Sequence, residues 1–184
     1  MRSMLHGPPH GRGQALVVVT VVLAVVLVPL GLLVLAVNQE RAAYSAINAL
    51  VRTAATDGAG VLTDTSMATE APALTGSSAS CTARAGTMSA AGQVCQALQT
   101  GLRHLFPGPH GRVDVAAALA ATRVSVFNGA PTTPVQDPST GEVYHYPTLC
   151  VSSRMRVGVM EYDGAGLTFV FGACAQTVWR TAHG

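Results

Sequence analysis

The sequence contains no lysine, and charge is sparse, with eleven arginines and nine acidic residues among 184 positions. Two of the arginines, Arg2 and Arg12, precede a long apolar run, so the other nine balance the nine acids. A nucleic-acid-binding surface needs clustered basic residues. The even balance of charge therefore argues against a nucleic-acid partner.

Motifs that carry catalysis or hold cofactors are also missing. There is no G-x-S-x-G, Walker loop or G-x-G-x-x-G, and no H-x-x-x-H on a predicted helix. The cysteines form no C-x-x-C pair, which zinc sites usually contain. The acidic residues are scattered singly, so no pair is placed for acid–base work. We therefore expect a non-enzymatic protein without catalytic residues, metal, cofactor or small-molecule substrate.

What the chain has instead is one apolar run, Ala15 to Val37, of 23 residues without a charge or an amide. A helix of that length spans about 34 Å, which is enough to cross a hydrocarbon core of about 30 Å. Pro29 lies inside this run and is expected to kink the helix, which membrane helices tolerate. The run predicts a single-pass transmembrane helix over residues 15–37, with membrane lipid as its partner.

The flanks of this run predict its orientation. Residues 1–14 carry arginine and no acid, so by the positive-inside bias they form a cytoplasmic leader, and the chain after residue 38 is extracytoplasmic. A cleaved secretory signal is the alternative. Its apolar region would be shorter, about 7–15 residues, and Leu35-Ala36-Val37 is a poor cleavage site. An uncleaved anchor in the cell membrane is favoured.

Beyond the membrane the helical pattern continues, and we assign residues 38–60 as a continuation of the first helix. The whole helix is expected at about 14–57. The apolar residues at helical spacing in the continuation are Ala43, Ile47, Leu50, Val51 and Ala54. Residues 61–87 are rich in Ser, Thr and Ala and predict a polar linker. An extracytoplasmic α+β domain follows over 88–184. It opens with a second helix at about 88–106, although Gly101 weakens that helix.

The last third of the sequence predicts strands. Val113 to Phe127 is ambiguous: VAAALAA suits a helix, whereas TRVSVF alternates as a strand, and we favour a strand over 121–127. Residues 129–142 resemble a loop. A short strand is expected at Val143–Tyr146, and two longer ones at Leu149–Met160 and Leu167–Trp179. The expected fold is α+β: a long N-terminal transmembrane helix, extending into a domain in which a second helix packs on an antiparallel sheet of about four strands.

The four cysteines are even in number, which favours two disulfides in an oxidising compartment over free buried thiols. Asp163-Gly164 marks a hairpin turn between the last two strands, so that paired residue numbers sum to about 324–326. That register places Cys150 and Cys174 on one face, either directly opposite or one step diagonal. We predict a Cys150–Cys174 disulfide and, by elimination, Cys81–Cys95.

The N-terminal third contains four pieces in order: Gly13-Gln14-Ala15, Pro29 within the apolar run, the polar patch Asn38 to Arg41, and the helix Ala46 to Gly60. This order resembles the start of TadE/TadG-like proteins of the tight-adherence (Flp) pilus system. That start has a Gly-Gln-Ala sequence, an apolar helix containing proline, a short polar patch and an Ala/Asn-rich helix that ends in small residues. The resemblance covers about 50 of the 184 residues.

This resemblance implies a membrane-anchored pseudopilin or pilus-assembly component, whose partners are other pilus or secretion-system membrane proteins. It also implies a possible processing site between Gly13 and Gln14. After that cleavage Val18 would be the fifth residue, where such pilins carry glutamate. The metal-binding adhesion domain of the larger TadG-type proteins has no counterpart in this sequence. A secreted or anchored small binding domain or enzyme, unrelated to pili, is the alternative.

Overall fold

The computed structural model describes residues 11–62, 73–82, 88–107, 112–128, 134–137, 141–144, 147–158 and 166–177. The chain divides into two compact units, residues 1–39 and residues 40–184. The α+β fold predicted from the sequence is confirmed, with a long apolar N-terminal helix, a second helix and a four-stranded antiparallel sheet.

Helix α1 spans Gly11–Ala59, a run of 49 residues that includes Pro29. It is therefore somewhat longer than the predicted 14–57. Apolar side chains in its last three to four turns face the core of the second unit, where Ile47, Val51, Ala54 and Ala55 are buried. The continuation of the helix beyond residue 38 is confirmed, and the chain leaves the helix at Gly60.

The described strands are β1 (Ala79–Ser80), β2 (Thr122–Phe127), β3 (Val135–Gln136), β4 (Val143–Tyr144), β5 (Thr148–Gly158) and β6 (Gly166–Gln176). The main sheet of the second unit has the strand order β1-β2-β5-β6, and every neighbouring pair is antiparallel. Strands β3 and β4 form a separate two-stranded ribbon. Strand β3 lies in the segment predicted as a loop, and β4 lies at the predicted strand that begins at Val143.

Helix α2 spans Ala90–Leu105, within the predicted 88–106. The Ser89 Oγ accepts a hydrogen bond from the Gly92 N–H at 3.0 Å, which caps the first turn. The apolar stripe of the helix is buried in the core through Val94, Leu98 and Leu102. Hydrophobic burial of this one face therefore accounts for how α2 packs.

The ambiguous segment before β2 contains both predicted structures. A short helix, α3, spans Val115–Ala120, and its N-cap Asp114 accepts from the Ala117 N–H at 3.0 Å. Strand β2 follows almost immediately. The buried Thr122 hydroxyl donates a hydrogen bond to the Ala118 carbonyl at 2.7 Å, which stabilises the junction between α3 and β2. The helix-to-strand switch thus occurs where apolar clustering gives way to alternation.

Strands β5 and β6 pair through eleven residues with a constant sum of 324, the lower end of the predicted range. This register sets Cys150 directly opposite Cys174, and the two form a disulfide. A second disulfide joins Cys81 to Cys95 and so connects the end of β1 to α2. The hairpin turn at Asp163-Gly164 lies outside the described residues.

Residues 73–82, the longer described part of the predicted 61–87 linker, belong to the folded unit. Leu74 is only 1 % exposed, and β1 pairs with β2. The Asn128 side chain bonds to both the N–H and the carbonyl of Leu74, at 2.7 and 3.0 Å. The buried leucine, the Asn128 amide, the pairing with β2 and the Cys81–Cys95 disulfide thus hold a segment whose composition is that of a loop.

Two glycines allow α1 and α2 to pack closely. A Cβ atom on Gly58 would lie 2.5 Å from the Val94 Cγ2 and 3.0 Å from the Ala90 carbonyl oxygen. A Cβ atom on Gly101 would lie 2.3 Å from the Leu50 Cδ1. Gly101 lowers the helix propensity of α2, but the close approach of α1 leaves no room for a side chain at this position.

We expect Gly58→Ala to lower the free energy of unfolding of the second unit by about 1–3 kcal/mol, because overpacking displaces fixed backbone. Gly101→Ala should cost less, since Leu50 is half-buried and its side chain can rotate. Gly31→Ala is the matched control, because nothing lies within 4 Å of the added methyl group. Denaturant unfolding of the detergent-solubilised chain measures all three. Equal stability of Gly58→Ala and Gly31→Ala would contradict the packing described.

Candidate interaction surfaces

The first candidate surface is the apolar part of α1. Sixteen large apolar side chains between Val17 and Val37 are exposed, with exposed fractions from 42 % to 67 %. From Val17 to Ala59 the helix is long and apolar enough to span a membrane. A helix that is apolar on all sides is stable in lipid or against other apolar helices.

The residues that carry the family resemblance lie on this same helix. Gly13 and Gln14 fall in its first turn, and Pro29 lies inside it. Proline has no N–H, so the carbonyl of Val25, four residues earlier, loses its intrahelical donor. The helix nevertheless continues on both sides of Pro29.

An aromatic cluster lies where α1 meets the sheet of the second unit. The Tyr44 ring is 5.5 Å from the Phe169 ring and 5.1 Å from the Phe171 ring, measured between centroids. Phe171 is buried, whereas Tyr44 remains 42 % exposed. This cluster fixes the start of the core-facing part of α1 against β6.

The outer face of the sheet carries three exposed arginines, Arg123 on β2 and Arg154 and Arg156 on β5. Arg123 lies opposite Ser152, so Arg154 is its diagonal neighbour on the same face. The described strands of this sheet contain no acidic residue. The face is therefore basic, although the chain as a whole is close to neutral.

Strand β6 forms one edge of the sheet, and the β3–β4 ribbon covers part of that edge. The Cys174 N–H donates to the Asp137 Oδ2 at 3.1 Å, and the Cys174 carbonyl accepts from the Tyr144 hydroxyl at 3.2 Å. Both backbone groups of Cys174 are thereby satisfied by side chains rather than by a strand. Asp137 is only 4 % exposed, so its hydrogen bond to the Cys174 N–H lies in the protein interior and helps to hold the ribbon against β6.

Burial raises the pKa of the Tyr144 phenol above its usual 10.0, and the nearby Glu142 carboxylate raises this pKa further. The hydroxyl lies 3.2 Å from the Glu142 Oε2, in addition to its bond to Cys174. Since the folded-state pKa exceeds the unfolded value, the phenol stabilises the fold fully below pH 10. That contribution is lost as pH rises through the folded-state pKa.

We expect Asp137→Ala to lower the free energy of unfolding by about 1–3 kcal/mol, because a buried N–H loses its acceptor. Amide hydrogen exchange at Cys174 should speed up in this variant. Asp137→Asn keeps an acceptor oxygen and should retain most of the protection. Val143→Ala, at a position of the same ribbon that is 45 % exposed, is the neutral control. Unchanged exchange at Cys174 in Asp137→Ala would refute the role assigned to this carboxylate.

No group of three or more His, Cys, Asp or Glu side chains in the described part of the chain could hold a metal ion. All four cysteines are engaged in disulfides, so their sulfur atoms are not available as thiolate ligands. The described surfaces therefore offer apolar side chains, strand backbone and exposed arginines.

The sequence did not predict the covering of β6 by the β3–β4 ribbon. Asp137 stands in a segment of proline, threonine and glycine that is typical of a loop. The available signal for the ribbon was the position of Asp137 between two short pairs of residues that form strands, Val135-Gln136 and Val143-Tyr144. An isolated aspartate is usually exposed to solvent, so this signal did not indicate a buried contact. Its role depends on a contact 37 residues away.

Comparison with known proteins found no matching family model, no matching curated protein and no matching solved structure. The function is therefore inferred from the residues of this chain and their arrangement.

Proposed function

We propose that the chain is a membrane-anchored, non-enzymatic TadE/TadG-like pseudopilin or pilus-assembly component. The observation that carries the proposal is the exposure of sixteen large apolar side chains on all sides of α1. Water is a poor solvent for such a helix, so it is stable only in lipid or beside other apolar helices.

In this proposal, the N-terminus stays in the cytoplasm and the second unit is extracytoplasmic. Arg2 and Arg12 before the apolar run support this orientation through the positive-inside bias. The two disulfides support it as well, because disulfides persist in oxidising compartments and are rare in the cytosol.

The pilus assignment rests on the resemblance of residues 13–60 to the start of TadE/TadG-like proteins. Pro29 and the polar patch after the apolar run occur in the same order as in that family. With Val18 rather than glutamate near the possible processed end, helix association would depend on apolar packing instead of a buried carboxylate. The partners would be single-pass helices of the same pilus or secretion system.

The proposal is tested by sequencing the N-terminus of the mature protein from its native membrane. A start at Gln14 supports pseudopilin processing after Gly13, and a start at Met1 supports a permanent assembly component. A start near Asn38 would remove the anchor and contradict the proposal, and would favour a secreted binding domain or enzyme.

A genetic test addresses the link to pili. Deletion of the gene should abolish or strongly reduce surface filaments, and the intact gene supplied in trans should restore them. The same strain supplied with the Gly31→Ala variant is the matched control, because that change meets no neighbouring atom within 4 Å. A deletion strain with undiminished filaments would contradict the pilus function while leaving the membrane anchor intact.

A further inference from the structure

Among the residues that the structure describes, those beside the outer edge of β6 cover only part of it. Its odd-numbered residues bond to β5, as shown at the end of the ladder by Thr177, whose N–H donates to the Pro147 carbonyl at 3.2 Å. Even-numbered residues, such as Cys174, therefore direct their N–H and C=O groups away from β5. The β3–β4 ribbon meets these groups at Cys174, but no described residue bonds to Thr168 or Val170 on that side.

This part of the edge lacks the usual protection against strand pairing. Soluble proteins protect edge strands with charges, proline or bulges. The eleven residues of β6 include no charged residue and no proline, and their pairing with β5 runs without a bulge. Val170, at the centre of the uncovered stretch, is 64 % exposed. The edge over residues 166–172 is thus suited to accept another strand.

Charge on the neighbouring strand indicates what kind of strand would fit. Arg154 and Arg156 lie opposite Val170 and Thr168, on the same outer face. The Arg156 side chain leans across β6, since a Cβ atom on Gly166 would lie 3.0 Å from its Cγ and Nε. A strand added to β6 would lie about 10 Å from β5, within the combined reach of an arginine and a glutamate side chain.

The inner face beside this edge has the opposite character. Leu167 is 51 % exposed, and the half-buried Phe169 packs on Tyr44. Alternate side chains of an added strand would meet this apolar surface, while the side chains between them would meet the arginines. An alternation of apolar and acidic residues matches both faces.

We propose that residues 166–172 of β6 bind, by strand addition, an extended segment of a partner protein in which acidic and apolar side chains alternate. Backbone hydrogen bonds to Thr168 and Val170 supply affinity, and Arg154 and Arg156 select acidic residues. The Cys174 bonds to Asp137 and Tyr144 end the binding site on one side. This inference concerns the second unit and goes beyond the pilus function, because it holds wherever the chain acts.

The test uses the full chain in detergent micelles and a fluorescein-labelled peptide of eight alternating glutamate and valine residues. Fluorescence anisotropy should show saturable binding of this peptide. A peptide with lysine in place of glutamate should bind at least about tenfold more weakly, because it meets Arg154 and Arg156 with like charge. The same peptide N-methylated at its glutamate amides should bind at least about tenfold more weakly, because the residues that bond to Thr168 and Val170 have their side chains on the arginine face and are therefore the glutamates.

Two variants locate the binding site on β6. Val170→Pro removes an outward N–H without removing a bond to β5, so the strand can tolerate it. We expect this variant to bind the glutamate peptide about tenfold more weakly. Arg154→Glu combined with Arg156→Glu should reverse the preference towards the lysine peptide. Val143→Ala, on the ribbon, should bind as the unchanged chain does.

Absence of saturable binding to the glutamate peptide would overturn the proposal, and so would equal binding of the N-methylated peptide. A dimer of the chain that Val170→Pro dissociates would also overturn it, because a second copy would then occupy the edge. If Val170→Pro lowers the unfolding temperature, the N-methylated peptide and the arginine reversal provide the same test on a folded protein.

Discussion

Replacing Val25 and Val26 by arginine should release the full-length chain from membranes. Both residues lie at the middle of the apolar run, and their side chains are 67 % and 56 % exposed. An arginine at the centre of a membrane helix costs about 2.5–3.5 kcal/mol on insertion scales, so the pair costs about 5–7 kcal/mol. The inserted fraction should fall by more than about a thousandfold relative to the uninserted one.

Alkaline extraction of membranes measures this effect. The unchanged chain should stay in the pellet, and the Val25→Arg, Val26→Arg variant should appear in the supernatant or be degraded. Ser45→Arg combined with Thr53→Arg is the matched control, because it adds the same charge at exposed positions of α1 in the second unit. Retention of the Val25→Arg, Val26→Arg variant in the pellet would show that this segment does not hold the chain in lipid.

Removing the Cys150–Cys174 disulfide should strongly destabilise the second unit. The two residues are 24 positions apart. In the chain-entropy account, removing this link raises the conformational entropy of the unfolded chain and lowers the free energy of unfolding by about 3 kcal/mol. For a unit of this size, the unfolding temperature should fall by about 10 °C. Alanine at both positions avoids burying a new hydroxyl group, since Cys174 is only 9 % exposed.

The second disulfide provides the comparison for this prediction. Cys81 and Cys95 are 14 positions apart, so the chain-entropy account gives a slightly smaller loss for Cys81→Ala with Cys95→Ala. Thermal unfolding with and without reductant should show each double variant to be less sensitive to reductant than the unchanged chain. An unfolding temperature that neither substitution nor reductant changes would contradict a structural role for both links.

Much of this fold follows from local patterns in the sequence. Apolar repeats at helical spacing gave α1 and α2, and alternation in β5 and β6 gave the hairpin and its cysteine register. These elements were predictable because each pattern extends over ten or more residues. The register followed from the requirement that both apolar faces point to one core.

The remainder depends on contacts between distant residues. Leu74 lies in a segment of small polar residues, and only its pairing with Asn128 and the core shows that it belongs to the domain. Asp137 and Gly101 likewise have roles set by Cys174 and Leu50, which are far away in the sequence. Such positions carry no periodic signal, so composition alone assigned them to a linker, a loop and a weak point in a helix.

We propose that residues 15–37 lie in lipid and that the second unit lies on the extracytoplasmic side of the membrane. Protease treatment of intact spheroplasts, with one epitope tag at each end of the full chain, tests this topology directly. We expect an alkali-resistant membrane protein whose C-terminal tag is removed and whose N-terminal tag is protected. Recovery of the intact chain in the soluble fraction, or protection of the C-terminal tag with loss of the N-terminal one, would contradict it.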